Sequence, residues 1–371
     1  MDKPSRRSRG SVTVQDVARA AGVSAMTVSR VVNGGVNVRE STREAVNEAI
    51  ERLNYWPNSA ARSLAAGDAT QIGLLYANPS LAYLSNFLIG ALEGARKVGC
   101  HLVLEPCEGE SAEAQAEATR RFASTAVQGV ILPPPLSDSA PVQAELDAAG
   151  IPSVAVAIGV AQPGRLAVRI DDFAAAKAMT RHLLDQGHRR IGFIRGNPNN
   201  GASGERWRGF VAAIEAAGLD LADMPVEQGY FTFRSGMVAG ERLIDRPDRP
   251  QAIFASNDDM AAAVISVAHR RGLHVPDDLS IVGFDDTSLA TTTWPEITTV
   301  RQPIAAMAEA AVELLLARIR DQRAGQSRVA EERILDHELI VRESAGPAPV
   351  PQADVVPPKR RVVAKRIAAA R

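Results

Sequence analysis

From about residue 70 onward, the chain alternates between short, almost wholly apolar runs and stretches with helical periodicity, and few folds accommodate that pattern. The runs are QIGLLYA (71–77), HLVLEPC (101–107), QGVILPP (128–134), PSVAVA (152–157), RIGFIRG (190–196), QAIFASN (251–257) and DLSIVGFDD (278–286). Between them lie amphipathic stretches such as 84–99, 172–187, 203–217, 258–272 and 304–320. A strand that is apolar on both sides must be covered on both sides, so the reading is parallel sheet flanked by helices. Residues 70–345 are too many for one doubly wound sheet of ordinary size, which predicts an α/β core of two similar lobes. The 46% hydrophobic content can fill both.

The first 69 residues have a different texture. TVQDVARAAG puts Val14, Val17, Ala18 and Ala21 on one helical face, and Gly22 is a natural stop. Ser24 is placed to cap a second helix through Val28, Val31 and Val32, ending at Asn33-Gly34-Gly35. A third runs from about Ser41, with Ala45, Ala49, Ile50 and Leu53 inward, and stops before Pro57. Two short helices joined by a tight Gly turn form a helix-turn-helix, whose second helix enters the DNA major groove. Its outward side chains are Ala25, Met26, Ser29 and Arg30. Arg30 suits a bidentate bond to guanine, Ser29 serves base or phosphate, and Ala25 and Met26 suit a thymine methyl. Thr27 and the helix N-terminus suit phosphate. Residues 1–64 hold ten Lys/Arg against six Asp/Glu, about +4, in a chain of net charge −1. That local excess is the footprint of a small nucleic-acid-binding module on a neutral body.

TVQDVARAAGVSAMTVSRVVNG followed by TREAVNEAIERLNYWPNSAARSLA closely resembles the DNA-binding headpiece and hinge of the lactose-repressor/galactose-repressor family. SNDDMA, VPDDLSIVGFDD and TTVRQP extend the likeness, more loosely, to about residue 342. The resemblance implies an all-α headpiece (12–57) behind an N-terminal arm (1–11), a hinge helix (58–69) and a periplasmic-binding-protein-like core (70–345) of two doubly wound parallel-sheet lobes. It implies a homodimer on a near-palindromic double-stranded operator. Thr13, Gln15, Ser24, Asn33 and Asn58 join the DNA contacts, and Leu64, with Ala61 beside it, becomes an apolar wedge that unstacks and kinks the duplex. It also implies a repressor of carbohydrate-use genes relieved by a small-molecule effector, a sugar or sugar acid, gripped between the lobes by Arg206, Asn257 and Asp285 and covered by the ring of Phe231. Tyr83, placed on the loop after the first strand, would come from the other lobe. Asp258 reads equally as helix cap or pocket residue. Asp171-Asp172 and Asp277-Asp278 read as caps and turns, and His188 as a packing residue.

Other classes fit less well. A free sugar-binding protein predicts an apolar leader and no headpiece, whereas MDKPSRRSRG leads into helix-turn-helix sequence, and a cytoplasmic protein is expected. No phosphate loop, GxSxG elbow or catalytic constellation is legible, so no enzyme and no cofactor is expected. The Asp doublets lack calcium-loop spacing, and Cys100 and Cys107 make neither a disulfide framework nor a zinc set, so no metal is expected. For a phosphorylated or purine corepressor, Arg206 is the strong cationic candidate, with Arg195 and Arg234 weaker. Whether the effector induces or corepresses stays open. The tail 346–371 is Pro/Ala-rich with only basic charges after Asp354, and reads as a disordered arm able to add non-specific DNA affinity. It carries no Leu heptad to tie dimers into tetramers.

Overall fold

The computed structural model describes residues 12–32, 38–53, 70–160, 162–326 and 331–349, and the chain divides into two compact units, Met1–Thr70 and Gln71–Arg371. In the first unit, α1 (Val14–Ala21) opens with a capping box in which Thr13 and Asp16 satisfy each other's backbone N–H groups. Gly22, at φ 66°, ends α1 and makes the sharp turn that a side chain would strain. Helix α2 (Ala25–Val32) follows, with the Thr27 N–H donating to Ser24 Oγ at 3.1 Å, as the sequence predicts for a cap. Helix α3 (Glu40–Arg52) closes the unit. Val17, Ala18, Val28, Val31, Val46 and Ala49 form its core. Val46 holds the central position on α3, and Ala45, expected inward, is only half-buried.

The second unit contains two parallel sheets. The first has β1 (Gln71–Tyr76), β2 (His101–Pro106), β3 (Gly129–Leu132), β4 (Ser153–Val156), β5 (Leu166–Arg169) and β11 (Glu332–Ile334), in the order β11-β5-β4-β3-β1-β2. The second has β6 (Ile191–Arg195), β7 (Val226–Gln228), β8 (Ala252–Ala255) and β9 (Ser280–Val282), in the order β7-β6-β8-β9. A further antiparallel pair, β10 (Thr299–Arg301) with β12 (Glu338–Ile340), adjoins the second sheet through single parallel bridges. All seven strand runs of the sequence are present. The additional strands have three or four residues, too short for periodicity to single out.

The helices that matter for the cleft are α4 (Leu81–Val98), α5 (Ala112–Ala123), α6 (Ala140–Ala148), α7 (Asp172–Asp185), α8 (Gly201–Ala216), α9 (Phe233–Ile244), α10 (Asp258–Arg270), α11 (Ser288–Thr292) and α12 (Ile304–Arg323). The chain passes between lobes three times: from β5 into α7, from β10 into α12, and from β11 into β12. The crossings lie side by side, with the Leu335 N–H donating to the Arg169 carbonyl and Arg301 paired with Glu338. The tail does not leave the core where the sequence suggests. The Gly346 carbonyl accepts from Ser280 Oγ and pairs with His188 Nε2 at 3.0 Å, and the Ala348 N–H donates to Gln186. These bonds keep residues 346–348 on the second lobe and bear out His188 as a packing residue. Residues 350–371 lie outside the described residues.

Candidate functional sites

Helix α2 turns Val28 and Val31 into the core, and its 3.6-residue period then fixes what faces out. Ser24, Met26, Ser29 and Arg30 are exposed, Met26 by 67% of its surface, which is high for a large apolar side chain. Ala25, expected outward, is half-buried and packs against the core. Thr27 is half-buried, with its hydroxyl 2.9 Å from Ser24 Oγ. Gln15 and Thr13 are exposed at the start of α1, but the Thr13 hydroxyl is engaged with Asp16 at 2.7 Å. Asn33, Asn58, Ala61 and Leu64 lie outside the described residues. What remains is one short helix presenting a donor fork, a hydroxyl and a thioether on a single exposed face.

In the second unit a cavity lies between the carboxyl ends of the two sheets, where open α/β sheets take ligands. Five of the six expected effector residues line it: Tyr83, Arg206, Phe231, Asn257 and Asp285. Asp258 does not. It is fully buried behind the wall, accepting from the Thr287 N–H at 2.7 Å and the Thr299 hydroxyl at 2.7 Å, so both carboxylate oxygens are used. Tyr83 sits on α4 rather than on a loop, because Ser80 caps that helix early. Gln302, Asn78, Ser80 and Asn200 also line the cavity and were not singled out in the sequence, although Gln302 lies within the TTVRQP motif.

Arg206 is placed by the residues that follow it on α8. Trp207 and Phe210 pack on Phe193 of β6, with ring centroids 5.3 and 4.7 Å apart, which turns Arg206 toward the cleft. Its Nε donates to Asp172 at 2.8 Å and one Nη donates to the Ser256 carbonyl at 2.6 Å. The same Nη is 3.7 Å from Asp285, and the guanidinium stacks 3.7 Å from the Phe284 centroid. Asp172 is therefore a buried partner of Arg206 rather than a cap, whereas Asp171 and Asp278 cap and brace turns as expected. Arg195 stacks on Trp207 and Arg234 is exposed; neither lines the cavity.

Burial dominates the electrostatics. It pushes the Asp285 carboxyl up to about 7, against the pull of Arg206 and of the Gln302 amide, which donates at 2.6 Å. It raises Asp172 despite Arg206, and raises Asp258 well above the usual carboxylate range. Burial also raises the Tyr83 phenol, whose hydroxyl has no hydrogen-bond partner; nor has Gln302 Oε1. Buried polar atoms left unpaired are costly unless something else completes them. Phe231 is held at φ 60°, its carbonyl accepting from Asn257, with its ring against Gly196, where a Cβ would come within 2.0 Å. Across the cleft, Ser80 Oγ donates to Asp259 at 2.7 Å and the Gly201 N–H donates to Asp138 at 3.0 Å.

Residues 13–58 match the family model of bacterial regulatory proteins, lacI family, and residues 180–345 match a periplasmic binding protein-like domain. Catabolite control protein A of Priestia megaterium is 35% identical over 82% of this chain and 91% of its own length. The chain belongs to the lacI family. Other relatives are the regulator CelR of Thermobifida fusca (34% identical, covering 90% of this chain and 98% of that one) and the repressor PurR of Photobacterium profundum (33%, 90% and 98%). A CelR–cellobiose complex superposes with a TM-score of 0.68 at 32% identity, over 90% of this chain and all of that one. A lac repressor dimer bound to operator and the anti-inducer ONPF does so with 0.68 at 27%, over 91% of this chain and all of that one. This lacI-family chain is thus a DNA-binding transcriptional regulator with an effector core. Among the described residues, no helix is long and apolar enough to cross a membrane, and no group of three or more His, Cys, Asp or Glu could hold a metal. Cys100 and Cys107 are buried free thiols.

Proposed function

We propose that this regulator represses carbohydrate-use genes and responds to a small neutral sugar bound between its lobes. The observation that carries the reading is the pair of buried, unpartnered acceptor and donor atoms, Gln302 Oε1 and the Tyr83 hydroxyl, beside an aromatic ring in one cavity. A polyol supplies adjacent hydroxyls to such groups while its C–H face covers Phe231. In this reading Arg206, Asn257 and Asp285 take hydroxyls directly, and Asp258 positions the wall behind them. Among the described residues lining the cavity Arg206 is the one Lys or Arg, and it already faces the carboxylates of Asp172 and Asp285. A phosphate or sugar acid would add negative charge to a site with no spare cation, so a neutral sugar is favoured over either.

On DNA, Arg30, Ser29 and Met26 read base edges, Thr13, Gln15, Ser24 and Thr27 hold phosphates, and Ala25 packs between the two roles. Asn33 and Asn58 extend those contacts, and Leu64 with Ala61 wedges the minor groove. Two copies are required for a near-palindromic operator. Leu81, Ile89 and Leu92 expose 54–76% of their surfaces along α4, and Trp294 exposes 76%, which supports a homodimer. The protein works in the cytoplasm, where its DNA is, and performs no catalysis.

Effector and DNA are coupled through lobe closure, and the coupling is reciprocal: whatever factor the effector imposes on operator affinity, operator imposes on effector affinity. A thermal-shift screen of neutral sugars, sugar acids, sugar phosphates and purines tests the reading, because a ligand preferring the native state raises the melting point. A shift confined to neutral sugars supports it. A shift confined to purines or phosphates replaces it with a corepressor reading.

A further inference from the structure

The carboxyl-terminal segment leaves the core at a defined place. The Ile281 N–H donates to the Ser344 carbonyl at 2.8 Å, the Gly346 N–H donates to Ser280 Oγ at 3.1 Å, and the Ala348 N–H donates to the Gln186 carbonyl at 2.9 Å. Ile281 and Ser280 step back along β9 to its start, and Gln186 follows α7, so the chain exits at the amino ends of the second lobe's strands. The chain bearing the headpiece joins the core at Gln71, at the amino end of the first sheet, where the Gln71 carbonyl accepts from the Gln128 N–H. Both sheets turn their carboxyl ends to the shared cleft, so the two attachment points lie at opposite poles of the core. We propose that the basic tail binds a second DNA duplex, so that a regulator tethered to its operator through one pole grips another stretch of DNA with the other.

Helix lengths set the separation of the poles. Helix α12 starts beside Gln302 in the cleft and runs 20 residues to Arg323, which donates to the Gln128 side chain next to the Gln71 entry. Helix α7 starts at Asp172, the partner of Arg206, and runs 14 residues to the Gln186 that receives the tail. At about 1.5 Å per residue they hold the poles about 50 Å apart, before the width of the cleft is added. The first basic triplet, Lys359-Arg360-Arg361, ends twelve residues beyond Pro349, a length that spans no more than about 43 Å in any conformation. A short operator tethered through the Gln71 end is thus beyond the triplet, and a duplex stiff over about 150 base pairs cannot curl back to it.

The charge suits phosphates. After Asp354 the tail carries Lys359, Arg360, Arg361, Lys365, Arg366 and Arg371 with no acidic residue, in a chain whose net charge is −1. The folded surface at the exit is cationic too: Arg190, Arg246 and Arg249 line one groove with Pro349, against Asp248 and Asp278. Asp248 accepts from both Arg190 and Arg246, Asp278 accepts from the His274 N–H, and Arg249 is exposed with no ion pair among the described residues. The exit therefore offers no surplus of carboxylates to fold the tail's cations back onto the protein. Backbone phosphates, which require charge and no particular side-chain geometry, are the partner such a sequence can hold. Among polyanions, DNA is the one this regulator already meets.

A surface-capture measurement on the full chain tests this. A short palindromic site, selected by the protein from a random duplex pool, is immobilised and loaded, and a labelled random duplex is then offered at about 50 mM salt. The full chain should capture the second duplex, and the affinity of capture should fall by about a hundredfold or more between about 50 and 200 mM salt, as five or six phosphate contacts require. A chain stopped after Pro349 keeps the bonds at Gly346 and Ala348 and should lose the capture. The full-length triple variant Lys359→Glu, Arg360→Glu, Arg361→Glu should weaken capture by at least about tenfold. Both variants should hold the short operator within about twofold of wild type. Weaker operator binding by the shortened chain would put tail and headpiece on one duplex. Capture surviving both variants would assign it to the headpiece or core, and no capture by the full chain would leave the tail to an acidic protein or lipid surface. Each of these three results overturns the bridge.

Discussion

The recognition helix and the cleft solve opposite problems with the same residue type. Arg30 stands exposed on a helix of eight residues. Arg206 is 4% exposed, anchored to Asp172 and Ser256, and stacked on Phe284. The first arginine is surface chemistry laid over a small core; the second is part of the core. An exposed fork can be altered without disturbing the fold, whereas a buried one holds negative charges that cannot stand alone.

The largest expected effect follows from that contrast. Arg206→Met leaves Asp172 and Asp285 buried without their cation and should cost the core about 3–5 kcal/mol. Urea denaturation of the second unit's transition reads it. A loss below about 1 kcal/mol, the scale of an exposed pair, would show that the carboxylates protonate or rehydrate freely, and the contrast would fail. Adding Asp172→Asn should recover part of the loss.

Arg30→Ala should leave both melting transitions unchanged while weakening specific operator binding by about 1–3 kcal/mol. Fluorescence anisotropy with operator and with random duplex separates the cases. An equal loss on both would make Arg30 a phosphate contact rather than a base reader.

The same contrast decides what the sequence could reveal. Helix α2 was legible almost to the residue, because Val28 and Val31 at helical spacing fix the opposite face; only Ala25, at the edge of the apolar stripe, turned inward. The two-lobed core was legible because buried parallel strands are runs of apolar residues. The cleft was legible in part. Tyr83, Arg206, Phe231, Asn257 and Asp285 follow from the family resemblance, but their partners do not. Asp172 lies 34 positions from Arg206, and Gln302 lies 17 from Asp285. No local spacing encodes such pairs. Asp258 and Asp285 look alike in sequence, and only the hydroxyls of Thr287 and Thr299, brought in by other segments, put Asp258 behind the wall.

Acid–base behaviour should separate the two regions in sign. Asp16 in α1 is held below the usual carboxylate range by the Thr13 hydroxyl and N–H, so its contribution is present above about pH 4 and lost as pH falls. Asp285 is raised to about 7 by burial. Between about 4 and 7 the folded core holds a proton that the unfolded chain does not, so its stability should fall as pH rises through that window. Asp172 and Asp258 push in the same direction. Urea midpoints of the core at pH 5.5 and 8 should show the fall, and Asp285→Asn should flatten it. A core that gains stability over that interval would contradict the assignment.

The smallest effect tests whether cleft closure, rather than the pocket groups alone, carries effector affinity. Asp259 touches the opposite lobe through Ser80 at 2.7 Å yet does not line the cavity. Asp259→Ala removes this cross-lobe hydrogen bond, worth about 0.5–1.5 kcal/mol, together with a longer 3.3 Å contact from Asn257 Nδ2, whose main bonds to Phe231 and Met260 stay. Because that bond exists only when the lobes meet, its loss should weaken effector by a few-fold while operator affinity without effector stays the same. In the headpiece no removal of a comparable surface bond should reach the effector at all, so Thr13→Ala is the matching control: it should lower headpiece stability and leave effector titrations unmoved. An effector affinity indifferent to Asp259 would place the binding energy wholly in Arg206, Asp285 and Gln302, and the lobes would then close as a consequence of binding without contributing to it.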